Sequence, residues 1–463
     1  MMEFPAQDGT EPRAEPRDPA LHRAASATRR ALGDELGALA HLIAAEALEA
    51  NAAGSGTDAA MKVCNVATGY FMKGEHSVAA RWYRLALAMA PELAIAWQNL
   101  AAIHALAGQD EAAADCRERA YRIQRVFIEG DGNATAKLRR VLILCVASTS
   151  GNVPVEILFP TDSCCRIKYA IDYAAIEEDE KLPPYDLVFN AIGDPDVAAP
   201  LAGRLQRFVA HCGRPLLNRP EAVARSGRQR MAELFGDIDD VCLPPCLRIT
   251  CPPATGAADA ALGSWLGSLL AEAGMVFPLL ARPAASHGGV DLTRCENLAA
   301  LTERLGACHG SHYLSAFHDS RCPDGYYRKY RIIFVDRAPF PYHLAISTHW
   351  MVHYFSADMA ESPERIAEER RFLEDPGAVL GDRAMAAIAA IGRRLDLDYG
   401  GMDFTLLPDG RVLIFEANAT MLVHRERSNG PLAHKNPHVQ RIVDAFLRLQ
   451  GDLVDTNIMP APR

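Results

Sequence analysis

Between Tyr399 and Thr420 the chain reads YGGMDFTLLPDGRVLIFEANAT. Alternating apolar residues in GMDFTLL and RVLIFEANA, separated by Pro408-Asp409-Gly410, predict two short strands joined by a tight reversal. Asp403 falls in the first strand, while Glu416 and Asn418, two apart in the second, project from one face. Phe404, Leu406, Ile414 and Phe415 mark the hairpin as buried, and ionised carboxylates there are costly unless a metal or partner compensates. Two carboxylates and an amide oxygen on rigid strands suit Mg²⁺, a hard cation that bridges to substrate phosphates. The alternative from the residues alone is a solvated hairpin face.

The order MDF, turn, IFEANA resembles the metal-binding end of the ATP-grasp superfamily, especially ligases related to glutathione synthase and the RimK-type glutamate ligases. The resemblance implies that Asp403, Glu416 and Asn418 hold the Mg²⁺ ions of bound ATP, with Mn²⁺ as the alternative ion.

A chain of 463 residues exceeds what one hydrophobic core usually holds, so two or three domains are expected. A net charge of -10 argues against nucleic acid as a partner, because phosphate neutralisation needs a basic surface. No run of 18 apolar residues occurs, and the first twenty residues are Pro-rich without an apolar stretch, so neither a signal peptide nor a membrane span is expected. The expected location is the cytoplasm, with the cysteines as thiols. Cys242, Cys246 and Cys251 lack the spacing of a zinc site.

The amino-terminal third carries a period. Gly74 and Gly108, Ala79 and Ala113, and Ala86 and Ala120 are each 34 residues apart. Units 60–93 and 94–127 resemble tetratricopeptide repeats, through Tyr70, Gly74, Ala79, Tyr83, Ala86 and Pro91 in the first and Trp97, Leu100, Gly108, Ala113 and Ala120 in the second. Residues 24–53, rich in Ala, Leu and Glu, read as one helix or a broken pair that could cap the array. The repeats imply a protein or peptide partner, or a structural cap or dimerisation arm that would make a homo-oligomer.

Downstream, VLILCVAS (141–148), VEILFPT (155–161) and YDLVFNAIGD (185–194) read as strands, with IKYAIDYAAI and AAPLAGRLQRFVAHCG as helical segments between or after them. Alternation of that kind implies a parallel sheet. The segment resembles the domain preceding the nucleotide core in ATP-grasp ligases, where Asn190, Asp194 and Asn218 are either site-lining or turn-forming residues.

On the same resemblance, Arg228 stands where the family usually has a phosphate-reaching Lys, with Arg230 as competitor, and Arg282 replaces a second Lys at the end of the strand FPLLARP. Ser286-His287-Gly288-Gly289 reads as the loop that closes over phosphate. YLSAFHDS, with Phe317 and Asp319, resembles the adenine slot and ribose contact. Lys329 and Arg331, two apart on a predicted strand, would face the γ-phosphate or acyl phosphate as the catalytic pair; a solvated edge-strand pair is the alternative. His343, His349 and His353 lie among aromatics as pocket-lining or core residues.

The expected architecture is multidomain: a disordered tail (1–23), α-helical tetratricopeptide-like repeats (24–133), an α/β pre-ATP-grasp domain (139–250) and an α+β ATP-grasp core (260–450). The expected activity is ATP-dependent joining of a small-molecule carboxylate to an amine through an acyl phosphate. A repeat-bearing adaptor that binds ATP without catalysis is the alternative.

Overall fold

The computed structural model describes residues 15–130, 138–148, 150–251, 258–286, 288–306 and 310–458. It divides into two compact units, Met1–Val126 and Phe127–Arg463.

The first unit is helical: α1 (Pro19–Ala31), α2 (Glu35–Ala52), α3 (Gly56–Met72), α4 (His76–Met89), α5 (Ala94–Leu106) and α6 (Asp110–Ile123). Each helix packs on its neighbour in the chain. Of the segment 1–23 expected to be disordered, residues 1–14 lie outside the described residues, and α1 begins within the remainder. Asp18 starts it by accepting a hydrogen bond from the Ala20 N–H, with Pro19 at the first helical position. Residues 24–53 form most of a helix pair rather than one helix. Gly74 (φ 80°) and Gly108 (φ 70°), 34 residues apart, turn the chain after α3 and α5 in the left-handed conformation that glycine adopts without penalty. Ala60, Ala67, Ala79, Ala86 and Ala96 let the helices approach closely around Trp82 and Tyr83.

The second unit holds three sheets. The first has the order β1 (Val126–Glu129), β3 (Cys164–Ala170), β2 (Arg139–Cys145), β4 (Leu187–Asn190), β5 (Leu216–Leu217), and β2, β3, β4 and β5 run parallel. Two expectations are corrected here. Residues 155–161 form no strand: Val155, Leu158 and Phe159 are buried at helical spacing and close a turn onto the Val155 carbonyl. IKYAIDYAAI is not helical, because its first residues complete β3 with Ile167 and Tyr169 buried on alternate positions. The helix expected in AAPLAGRLQRFVAHCG is present at Ala202–His211.

After a two-residue strand, β6 (Val241–Cys242), come β7 (Cys246–Thr250), β8 (Leu279–Pro283), β9 (Thr293–Cys295) and β10 (Ser311–Ala316), which make an antiparallel sheet of order β7-β10-β8-β9. The third sheet, order β12-β11-β13-β14-β6, contains β11 (Tyr327–Val335), β12 (Ala338–Ser347), β13 (Tyr399–Leu406) and β14 (Val412–Asn418). β13 and β14 are the predicted hairpin. Gly401 brings β13 against β11: a Cβ there would lie 2.6 Å from the Ile332 carbonyl oxygen. Among the described residues no helix is long and apolar enough to cross a membrane.

Asn218 ties the parallel sheet to this hairpin. Its side-chain amide donates to the Tyr399 carbonyl and accepts from the Tyr399 N–H, each at 2.9 Å, in the manner of a strand partner. Its own N–H donates to Asp398 at 2.7 Å, and the Asn190 amide donates to its carbonyl at 3.0 Å. Asp194 caps the short helix Pro195–Ala198. Asn190, Asp194 and Asn218 thus have positioning roles, and Asn218 holds the left-handed conformation (φ 55°) that asparagine tolerates.

Candidate active site

The second and third sheets line one cavity of about 280 Å³. Register brings the acids together: Asp403 pairs across β13 and β14 with Glu416, and on its other side with Arg331 of β11. Directly opposed carboxylates repel unless cations intervene, and here arginines and a lysine do. Arg331 grips Asp403 with two hydrogen bonds, Nε to Oδ1 at 2.6 Å and Nη2 to Oδ2 at 2.8 Å, and the Lys329 ammonium lies 3.1 Å from Oδ2. Glu416 is held by the guanidinium of Arg228, which enters from the 3-10 turn Arg228–Arg230.

Burial alone would raise both acids' pKa values. For Asp403 it is outweighed by Arg331 and Lys329, and for Glu416 by Arg228, so both carboxyls sit below the usual range and are ionised. Arg282 stands at the end of β8, near but not hydrogen-bonded to Glu416 and Asp194 among the described residues. It donates to the Ser286 backbone oxygen and hydroxyl, and burial together with the nearby Arg228 charge pushes its pKa down to about 10. Two guanidinia brought together in a half-buried place form a receptor for an anion.

The cavity gathers Arg228, Arg282, Gly288, Gly289, Phe317, Lys329, Arg331, Asp403 and Glu416. Three other expected residues fall elsewhere. Ser286 and Asn418 border a recess of about 30 Å³ that shares Arg228, Tyr313 and Glu416 with the main cavity. The Asn418 oxygen accepts from the Thr420 N–H and hydroxyl, so it is engaged by its own loop. Asp319 is exposed and lies between the cavity-lining His318 and Ser320 without lining the cavity itself; its Oδ1 accepts from the Arg321 N–H. His287 lies outside the described residues. Arg230 pairs with Glu233 on its own turn of helix, which leaves Arg228 as the cavity residue.

More of the lining comes from the histidine-rich stretch 339–359, whose His343 on β12 sits directly beside Arg331 on β11. Tyr342, His343, Trp350, His353 and Tyr354 all line the cavity. His343 is buried and stacked on Tyr354 with ring centroids 4.4 Å apart, and among the described residues neither ring nitrogen has a hydrogen-bond partner. Burial, then Arg331 and Lys435, keeps it neutral. His353 is lowered by burial and by Lys329. The segment holding His349 and His353 is not helical, so the two histidines do not share a helix face. Phe317 stands edge-on to Trp350 at 5.6 Å, with the Arg294 guanidinium 4.1 Å over its ring, an aromatic corner on the cavity lining.

Among the described residues no group of three or more histidine, cysteine, aspartate or glutamate side chains surrounds a metal-sized site, but the oxygen donors here are of the hard kind that a divalent cation takes. Asp403 and Glu416 present carboxylate oxygens side by side, and Asn418 can add a third oxygen on releasing Thr420.

No known protein family matches the chain, and no curated protein does. Among solved structures it is similar to a D-Ala:D-Ser ligase, VanG, of Enterococcus faecalis (12% identity over 68% of this chain and 99% of that one, TM-score 0.41). It is also similar to a D-alanine–D-alanine ligase of Bacillus anthracis complexed with ATP (12%, 68% and 99%, TM-score 0.37). A third similarity is to the ATP-grasp ligase PsnB with a minimal precursor variant, Mg and ADP (12%, 67% and 99%, TM-score 0.38). At that level of likeness the site's chemistry has to come from its own residues.

Proposed function

We propose that this chain is an ATP-dependent ligase of the ATP-grasp kind, joining a carboxylate to an amine. What supports it is one arrangement: Arg228, Lys329 and Arg331 converge on the opposed carboxylates Asp403 and Glu416, with Arg282 alongside, in one cavity that also holds the aromatic pair Phe317 and Trp350.

Phe317 and Trp350 border the base, while Arg228 and Arg282 bind phosphate and Gly288-Gly289 allows close backbone approach. Lys329 and Arg331 neutralise the phosphoryl group as it moves to the substrate carboxylate. Asp403 and Glu416, with Asn418, hold Mg²⁺ or Mn²⁺, which supplies charge neutralisation between phosphates when bound. Transfer yields an acyl phosphate; the amine attacks its carbonyl carbon, and phosphate leaves with the electron pair. The closer relationship to glutathione synthase and RimK-type enzymes rests on the hairpin motif. The helical unit serves as a tetratricopeptide-like recruitment or dimerisation arm, and the protein works in the cytoplasm.

Hydroxylamine tests the acyl phosphate. Purified protein with Mg·ATP and pools of amino acids and small dicarboxylates should give a hydroxamate in at least one pool; ATP binding with no hydroxamate in any pool would count against the acylation step.

A further inference from the structure

Resting on that function, we infer that the metal site is closed until nucleotide arrives: Arg331 and Lys329 occupy Asp403, Arg228 occupies Glu416, and the phosphates must draw these cations away before the carboxylates accept a metal ion.

Both oxygens of Asp403 are taken, one by Arg331 Nε and the other by Arg331 Nη2 and Lys329 Nζ. Glu416 is bound by Arg228. The third donor, Asn418, is turned onto Thr420. Charge reinforces this occupancy. Four cations on the wall, Arg228, Arg282, Lys329 and Arg331, face Asp403 and Glu416, and Asp194 in the adjoining recess adds a third anion near Arg228 and Arg282, which leaves one positive charge in excess. Arg328 also reaches the wall but is neutralised by Asp324 and Glu368. The wall therefore has a positive excess, which repels a divalent cation and attracts a polyphosphate. In a half-buried cavity such interactions are far stronger than in water. A triphosphate reverses the sign. Its oxygens offer the guanidinia and Lys329 a replacement for the carboxylates, which then turn toward the metal. Nucleotide first, metal with it or after it, is the order these charges impose.

The test uses the full chain with Mn²⁺, whose paramagnetic signal reports binding directly, and a non-hydrolysable ATP analogue followed by calorimetry. Without nucleotide, wild type should show no saturable Mn²⁺ site below about 1 mM. Lys329→Met, which removes one competing cation, should tighten nucleotide-free Mn²⁺ binding by about tenfold or more, and Asp403→Asn added to it should abolish the gain. Arg282→Met, which removes a cation without unpairing either carboxylate, should act in the same direction and serves if Lys329→Met disturbs folding. The analogue should bind in EDTA, more weakly than with Mn²⁺. Micromolar Mn²⁺ binding to nucleotide-free wild type, analogue binding only when metal is present, or no gain in either charge-removing variant would each overturn the inference while leaving the nucleotide site standing. Failure of the analogue to bind with or without metal would overturn the nucleotide site itself, and the inference with it.

Discussion

Arg331 and Asp403 face each other across β11 and β13 and share two hydrogen bonds, at 2.6 and 2.8 Å, with Lys329 as a third contact on the same carboxylate. The two residues expected to act on phosphate thus meet the acid expected to bind metal, at one point on a rigid sheet.

Glu416→Gln keeps the side chain's volume and deletes the charge beside Asp403. ADP formation should fall at least about a hundredfold, with the circular dichroism spectrum unchanged. Normal ADP formation would remove Glu416 from the metal set.

Arg282 is held by neutral oxygens of Ser286, so its charge is available to a ligand. Arg282→Ala should weaken binding of an ATP analogue by about 1 to 3 kcal/mol, and Arg282→Lys should retain much of the affinity. Equal calorimetric affinities for wild type and the Ala variant would place Arg282 outside the phosphate site.

Gly401 is a packing constraint. A methyl there meets the Ile332 carbonyl oxygen at 2.6 Å and the Met421 side chain at 3.0 Å. Gly401→Ala should therefore cost about 1 to 3 kcal/mol in urea unfolding and disturb the alignment of Asp403 with Arg331. An unchanged midpoint would mean that β11 and β13 separate more easily than their packing implies.

In the helical unit, His22 Nδ1 and His41 Nδ1 lie 2.8 Å apart beside Trp82, so a single proton between them makes the hydrogen bond. Burial, followed by the neighbouring His22, pushes His41 down to about 4. A histidine whose folded pKa is depressed stabilises the fold above its unfolded value, near 6.5, and loses that contribution as pH falls toward 4. From pH 7 to pH 5 the loss should be about 1 kcal/mol after allowance for solvent screening. Hydrogen exchange of peptides in α1 and α2, corrected for the intrinsic rate, should report it, and His41→Gln should flatten the dependence. Identical protection at the two pH values would mean that His41 charges without opening the helices.

The hairpin was legible because period-2 alternation, a Pro-Asp-Gly reversal and paired acids coincide within twenty-two residues, Tyr399 to Thr420. The 34-residue spacing of Gly74 and Gly108 likewise marked the turns after α3 and α5. Short apolar segments were harder. Val155, Leu158 and Phe159 carry strand-forming residues at helical spacing, and their burial in a turn is decided by tertiary packing. IKYAIDY offers both periods, and only pairing with β2 selects the strand. At the site, strand periodicity placed Lys329 and Arg331 on one face, yet nothing local announced that both would fasten onto Asp403, which is 72 residues from Arg331. For Asp319 nothing in the sequence signalled that its Oδ1 would accept from the Arg321 N–H. His343 stood out as a histidine among aromatics; that its nitrogens are buried without partners among the described residues depends on how β12 meets Tyr354.

The most direct measurement is ADP release by the purified full-length protein with Mg·ATP, against pools of amino acids and small acids, with mass detection of products. The account predicts ADP in step with a condensed product, one water lighter than its two substrates, in at least one pool. ATP analogue binding with no ADP and no condensed product in any pool would contradict it and leave an ATP-binding adaptor as the function.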